Sequence, residues 1–133
     1  FVNWVGCAVG GAHHETVDRA LAAVKPFSGK ATSTILGRPE RLDALHAALV
    51  NGISSHVLDY DDTHLKTIIH PAGPVASALL ALAEYQEING ADLLTALVIG
   101  VEVEWVVLVV SGLEEQGNKV KLCGQVQEEG TKD

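Results

Sequence analysis

Leu42, Leu45, Leu49, Ile53 and Val57 recur every three or four residues. This is the spacing of one apolar stripe on a long α-helix, and it excludes a strand, whose side chains alternate with a period of two. The remaining positions are small: Ala44, Ala47, Ala48, Gly52, Ser54 and Ser55. Small side chains let a second helix approach closely. Gly52 interrupts the stretch at a cost of roughly 1 kcal/mol against alanine.

The flanking segments follow the same logic. Residues 1–11 read as an apolar helix that closes on Gly10-Gly11. Val17, Ala20, Leu21 and Val24 place a helix over 15–25, with Glu15 and Lys25 at the ends the dipole favours and Pro26 as its stop. Residues 28–37 are polar and β-branched, and read as a short extended segment or a loop. Pro74 suits the first position of a helix over PVASALLALAEYQ, which Asn89-Gly90 ends, and Asp92 falls in the first turn of another. Leu93 to Val110 is the most membrane-like run, but Glu102 and Glu104 inside it make a span costly, so it reads as a buried core helix. Beyond Glu104 a β-branched run gives way to a polar, glycine-containing tail. The expected fold class is all-α over 1–104, with 105–133 a divergent tail whose structure the sequence leaves open.

The chain has 133 residues, enough for one domain with a real core. Its formal net charge is -8, from 9 basic and 17 acidic side chains. That balance excludes nucleic acid and anionic membrane surfaces as partners, since both need a basic face. A small anionic substrate stays possible if its cations are local or come from elsewhere. Cys7 and Cys123 make no disulfide framework and point to a reducing compartment. The sequence opens on Phe1 rather than Met, and is read as lacking its natural start.

The titratable groups concentrate between Asn51 and Pro74, NGISSHVLDYDDTHLKTIIHPAGP. If the Leu42 helix continues to Thr63, then Asp59, Asp62 and Thr63 share a face and Asp61 points elsewhere. Carboxylates at a helix C-terminus oppose the dipole, and such a cost often marks a site. Carboxylate neighbours favour the protonated imidazole, which serves as a general acid and as a cation for a substrate carboxylate. His64 and His70 flank the loop LKTII, and Pro71 and Pro74 stiffen it. Thr63, and N–H groups at the start of the Pro74 helix, can hydrogen-bond a carboxylate. Three readings stand side by side: a solvated turn, a proton-exchange site, and a metal site built from Asp59, Asp61, Asp62, His64 and His70. The D-x-D-D-x-H spacing matches no closed zinc or EF-hand pattern. Lys66 is either a solvated loop residue or a substrate cation. His13, His14 and His46 read as surface or helix-face histidines, and Cys7 as a core thiol.

The motif carried by Ala48, Asn51, Gly52, His56, Asp59, Tyr60, Asp61, Asp62, Thr63, His64, His70 and Pro71 resembles that of the MmgE/PrpD family. This family includes 2-methylcitrate dehydratases, cis-aconitate decarboxylases and related epimerases. The resemblance covers residues 1–104. It implies a large helical domain joined to a smaller α+β lid, homodimers, and chemistry without a metal or organic cofactor. Substrates are small di- and tricarboxylates, which lose water, lose CO2 or epimerise through proton transfer next to a carboxylate. Asp59, Thr63 and His70 match pocket residues of the decarboxylase branch. His70 is the expected catalytic residue; Asp59, Thr63, His64 and Lys66 are expected to bind substrate. The family's lid and its downstream histidine, lysine and tyrosine site residues are not in this sequence, so the chain is expected to be inactive alone. Expected partners are a second copy or a full-length family member. The alternative is a non-catalytic regulatory partner of such a paralogue. The expected compartment is the cytoplasm, with mitochondria as the alternative.

Overall fold

The structure, a computed structural model, describes residues 1–64 and 69–115 and gives 108–115 as backbone only. Over these residues the chain forms five helices and one two-stranded ladder. They are α1 (Val2–Gly11), α2 (Glu15–Val24), β1 (Ser33–Thr34), β2 (Arg41–Leu42), α3 (Ala44–His56), α4 (Ala72–Gln86) and α5 (Gly90–Glu115), with a 3-10 turn at Lys25–Phe27. The all-α class is thus observed.

The first two helices fall where periodicity puts them. His14 caps α2, its Nδ1 accepting from the Thr16 N–H at 3.2 Å. Pro26 converts the end of α2 into the 3-10 turn. The 28–37 segment resolves in favour of a short extended stretch, with Ser33 opposite Leu42 and Thr34 opposite Arg41 in antiparallel register. Gly37, at φ +76°, turns the chain between the two strands. Glu84 of α4 holds the ladder by accepting from the Thr34 N–H at 2.6 Å and the Thr34 hydroxyl at 2.5 Å.

Helix α3 is central, but the face it buries differs from the expected one. Leu45 is 82% exposed and Leu49 52% exposed, and only Leu42, Ile53 and Val57 of the stripe reach the core of Val17, Leu21, Ile35, Ala47 and Val50. The buried face carries Ala47, Val50, Asn51, Ser54 and Ser55. The reason is close approach combined with hydrogen bonding. A Cβ on Gly11 of α1 would lie 2.1 Å from the Ser54 carbonyl oxygen, so this crossing admits only glycine. Ser54 Oγ donates to the Ala8 carbonyl at 2.6 Å. Asn51 spans to the ladder segment, accepting from the Leu36 N–H and donating to the Thr34 carbonyl, each at 2.9 Å. A buried polar face with every group paired is stable where an unpaired one is not. Trp4 of α1, fully buried, donates to Ser77 of α4 at 3.2 Å and so joins the outer helices across α3.

The last two helices also differ from expectation. α4 begins at Ala72, so Pro74 is its third residue. It ends at Gln86, with Glu87 in the left-handed region at φ +54°. Asn89 then caps α5 by accepting from the Asp92 N–H at 3.0 Å. α5 passes through Glu104 without a break and runs to Glu115. It was expected to be a buried core helix, yet Val98, Ile99, Val103, Val106 and Val107 are exposed. It docks on α4 along one line, where Gly100 meets Val75 so closely that a Cβ there would lie 2.5 Å from Val75 Cγ1. No helix among the described residues is long and apolar enough to cross a membrane. The part of the tail from 116 to 133, Cys123 included, lies outside the described residues.

Candidate active site

The site begins where α3 stops. The last helical N–H bond is Val57 to the Ile53 carbonyl at 3.0 Å. The Asp59 N–H then donates to the His56 carbonyl at 2.9 Å, and Asp59 adopts φ +54°. Aspartate tolerates this left-handed conformation better than most residues, and it reverses the chain. The helix therefore does not reach Thr63, and Asp59, Asp62 and Thr63 do not share a helical face. Asp61, expected to point away, lies instead at the centre.

The Asp61 side chain is 1% exposed. His56 Nδ1, from the end of α3, lies 3.2 Å from each of its carboxylate oxygens. His70 Nδ1, from the segment entering α4, lies 3.3 Å from Oδ1. The two rings meet edge to face with centroids 4.7 Å apart. Asp61 also abuts the first turn of α4, where a Cβ on Gly73 would sit 3.9 Å from Oδ2. A helix N-terminus is a favourable neighbour for a carboxylate.

The expected site residues sort around this carboxylate. His70 is in it, with Nε2 3.9 Å from Asp59 Oδ1. Thr63 backs His70: its hydroxyl donates to the Asp61 carbonyl at 3.3 Å and lies 3.4 Å from His70 Nδ1. His64 is exposed, and its N–H donates to the Ile69 carbonyl at 2.9 Å. Lys66 lies outside the described residues. The expected site residues did not include His56 and Asp61. Both stand in the motif, and that membership was the available signal.

Four ligand atoms, one each from His56, Asp59, Asp61 and His70, lie within 4.8 Å of one another, so this cluster is the place where the described residues could hold a cation. His56 Nδ1 reaches both oxygens of Asp61, and His70 Nδ1 lies within ion-pair distance of Oδ1. Below the cluster, burial followed by the charges of Asp61 and Asp62 pushes the Cys7 thiol up, which suits an inert core thiol. Burial, with a smaller contribution from the charge of Asp62, raises Glu104 of α5. One oxygen of each of these two carboxylates is buried without a hydrogen-bond partner among the described residues.

His56, Asp61 and His70 form the polar end of a cleft of about 710 Å3. Ala48, Leu49, Gly52 and Ile53 of α3 and Pro74 of α4 form its apolar walls. Of the exposed stripe residues, Leu49 is thus part of a cleft wall. The volume suits a small ligand, with a few polar groups to orient it.

A sequence model of the MmgE/PrpD N-terminal domain matches residues 1–126. Cis-aconitate decarboxylase of Mus musculus is 43% identical over 86 residues, covering 60% of this chain and 17% of the mouse protein. The Homo sapiens protein of the same name is 43% identical over 86 residues, covering 60% of this chain and 18% of that protein. The cis-aconitate decarboxylase-like protein oryM of Aspergillus oryzae is 29% identical over 108 residues, covering 76% of this chain and 22% of that protein. The chain therefore spans about a fifth of the length of the curated relatives it matches.

Proposed function

The chain belongs to the MmgE/PrpD family, and from that premise we propose that it contributes one wall of a lyase site for a small di- or tricarboxylate, with His70 as the proton-exchanging group. The observation that supports this reading most is the placement of His70 at the polar end of an apolar cleft, between buried Asp61 and exposed Asp59. The relatives' names make cis-aconitate the first substrate to test.

In such a decarboxylation the bond from carbon to one carboxylate breaks and CO2 leaves. The electron pair stays on carbon, which takes a proton. Protonated His70 donates that proton from Nε2 and keeps its Nδ1–H on Asp61. Water then reprotonates Nε2. A positioned general acid of this kind contributes about 100- to 10,000-fold. Asp59 lies 3.9 Å from Nε2, too far for a hydrogen bond. The apolar walls strengthen these charges by excluding water.

A tricarboxylate needs more positive charge than two imidazoles provide, and the described cleft lining contains no lysine or arginine. This chain alone is therefore proposed to bind weakly and to turn over negligibly. Further cations would come from Lys66 or from a second family chain. The test is a titration with cis-aconitate followed through the histidine Cε1–H NMR signals. Saturable shifts at His56 and His70 that vanish in His70→Ala are expected. No shift at concentrations well above a weak dissociation constant of about 1 mM contradicts the reading.

The exposed apolar residues of α5 favour a second reading, in which the chain is a non-catalytic partner of a full-length family member. Size exclusion after co-expression tests it, and the absence of a mixed species counts against it.

A further inference from the structure

Asp61 is a buried carboxylate whose ion-pair partners, among the described residues, are His56 and His70. Burying a carboxylate is costly unless donors satisfy it. Nearby hydroxyls are committed elsewhere: Ser55 Oγ donates to the Gly52 carbonyl at 3.0 Å, and Thr63 Oγ1 to the Asp61 backbone carbonyl. His56 Nδ1 is within hydrogen-bond distance of both Asp61 oxygens, and His70 Nδ1, with the Thr63 hydroxyl also 3.4 Å away, is within ion-pair distance of Oδ1, so in both rings Nδ1 is the nitrogen turned toward Asp61.

We infer that Asp61 is a positioning residue that locks His56 and His70 together in the Nδ1–H tautomer, and that His56 is a second proton-exchanging group of the same site. This rests on the proposed lyase reading. The neutral tautomer with hydrogen on Nδ1 leaves Nε2 unprotonated, which is the form that accepts a proton. A buried aspartate that orients an imidazole without itself taking the proton is a known way to prepare a base. Here one carboxylate serves two imidazoles, so the site holds two such groups within one ring contact of each other. A proton taken by one and a proton given by the other is the balance that loss of water from a hydroxy acid requires. The base removes a proton next to the carboxylate, and the acid protonates the departing hydroxide.

The test is the histidine tautomer, read from long-range 1H–15N spectra of the full 15N-labelled chain. The spectra are taken at alkaline pH, well above the usual imidazole value of about 6.5, where the rings are neutral. A charged acceptor shifts the tautomer ratio by about tenfold or more toward the bonded nitrogen, so Nδ1–H signatures are expected at both His56 and His70. In Asp61→Asn, with one acceptor oxygen left, at least one of the two returns to the Nε2–H form. His46 is the internal control for folding, because its Nδ1 pairs with Asp43 at 2.6 Å, far from the change. An Nε2–H form dominating at either His56 or His70 in the unaltered chain overturns the assignment, whatever the variant does. So does stoichiometric Zn2+ binding lost in Asp61→Asn, which would make the cluster a metal centre. The readout needs no substrate. Correct tautomers with no response to cis-aconitate would keep the positioning role and sink the lyase reading.

Discussion

Helix α3 carries an aspartate–histidine pair at each end, and the two pairs differ in what surrounds them. At the N-terminus, Asp43 accepts from Ser28 Oγ at 2.7 Å, the Gly29 N–H at 2.8 Å, the Leu45 and His46 N–H groups at 3.1 and 3.2 Å, and His46 Nδ1 at 2.6 Å. Ser28 first, then His46, hold its carboxyl well below the usual carboxylate range. Most of these donors do not titrate near neutral pH, and the helix dipole adds to them. At the C-terminal end, the side chain of Asp61 faces, among the described residues, the two imidazoles of His56 and His70. The chemistry of the pair is the same. One is a cap that ties down a loop, and the other is the pair proposed to exchange protons at a cleft.

The middle of α3 sets the scale for that comparison. Asn51→Leu leaves the Leu36 N–H and the Thr34 carbonyl without partners, and is expected to cost roughly 2–4 kcal/mol in denaturant unfolding. A neutral result would mean that the polar face is not what holds α3. Asp43→Ala is expected to come next, lowering the thermal midpoint more than Asp61→Asn does. Its pH dependence follows from the lowered carboxyl. The contribution is present above the ordinary value of about 3.8 and is lost as pH falls through the lower folded value. The variant therefore flattens the acid limb of the stability profile. Asp61→Asn is expected to cost only about 1 kcal/mol while abolishing the His70 response to cis-aconitate. A loss of stability as large as that of Asn51→Leu would make Asp61 structural and erase the contrast.

Glu104→Gln is the smallest change and runs the other way. Burial raises the folded carboxyl, so its favourable contribution exists below the ordinary value of about 4.5 and is lost as pH rises through the raised one. At neutral pH the glutamine variant is expected to be more stable, by up to about 1 kcal/mol. Equal stability from acid to neutral pH would contradict the placement of Glu104 against Asp62.

The helices were legible in the sequence because a three-to-four spacing has few other meanings. Which face of α3 turns inward was not. Asn51 and Ser54 are buried through partners far along the chain, at Thr34, Leu36 and Ala8, and periodicity carries no trace of such bonds. His70 was legible from its prolines and from the motif. Asp61 was not, because its position depends on one backbone angle: with Asp59 left-handed, the helix ends early and Asp61 swings inward. The exposure of α5 was hidden for a related reason. An apolar run shows that a surface avoids water without showing what covers it.

The central claim is that the C-terminal end of α3 is a ligand site and the N-terminal end is not. Thermal unfolding with and without cis-aconitate, for the unaltered chain, His70→Ala and Asp43→Ala, tests it most directly. A ligand at about 100 times its dissociation constant stabilises by roughly 2.7 kcal/mol, a shift of several degrees. That shift is expected in the unaltered chain, with its loss in His70→Ala and its retention in Asp43→Ala on a lower baseline. An equal shift in all three, or none in any, would contradict it.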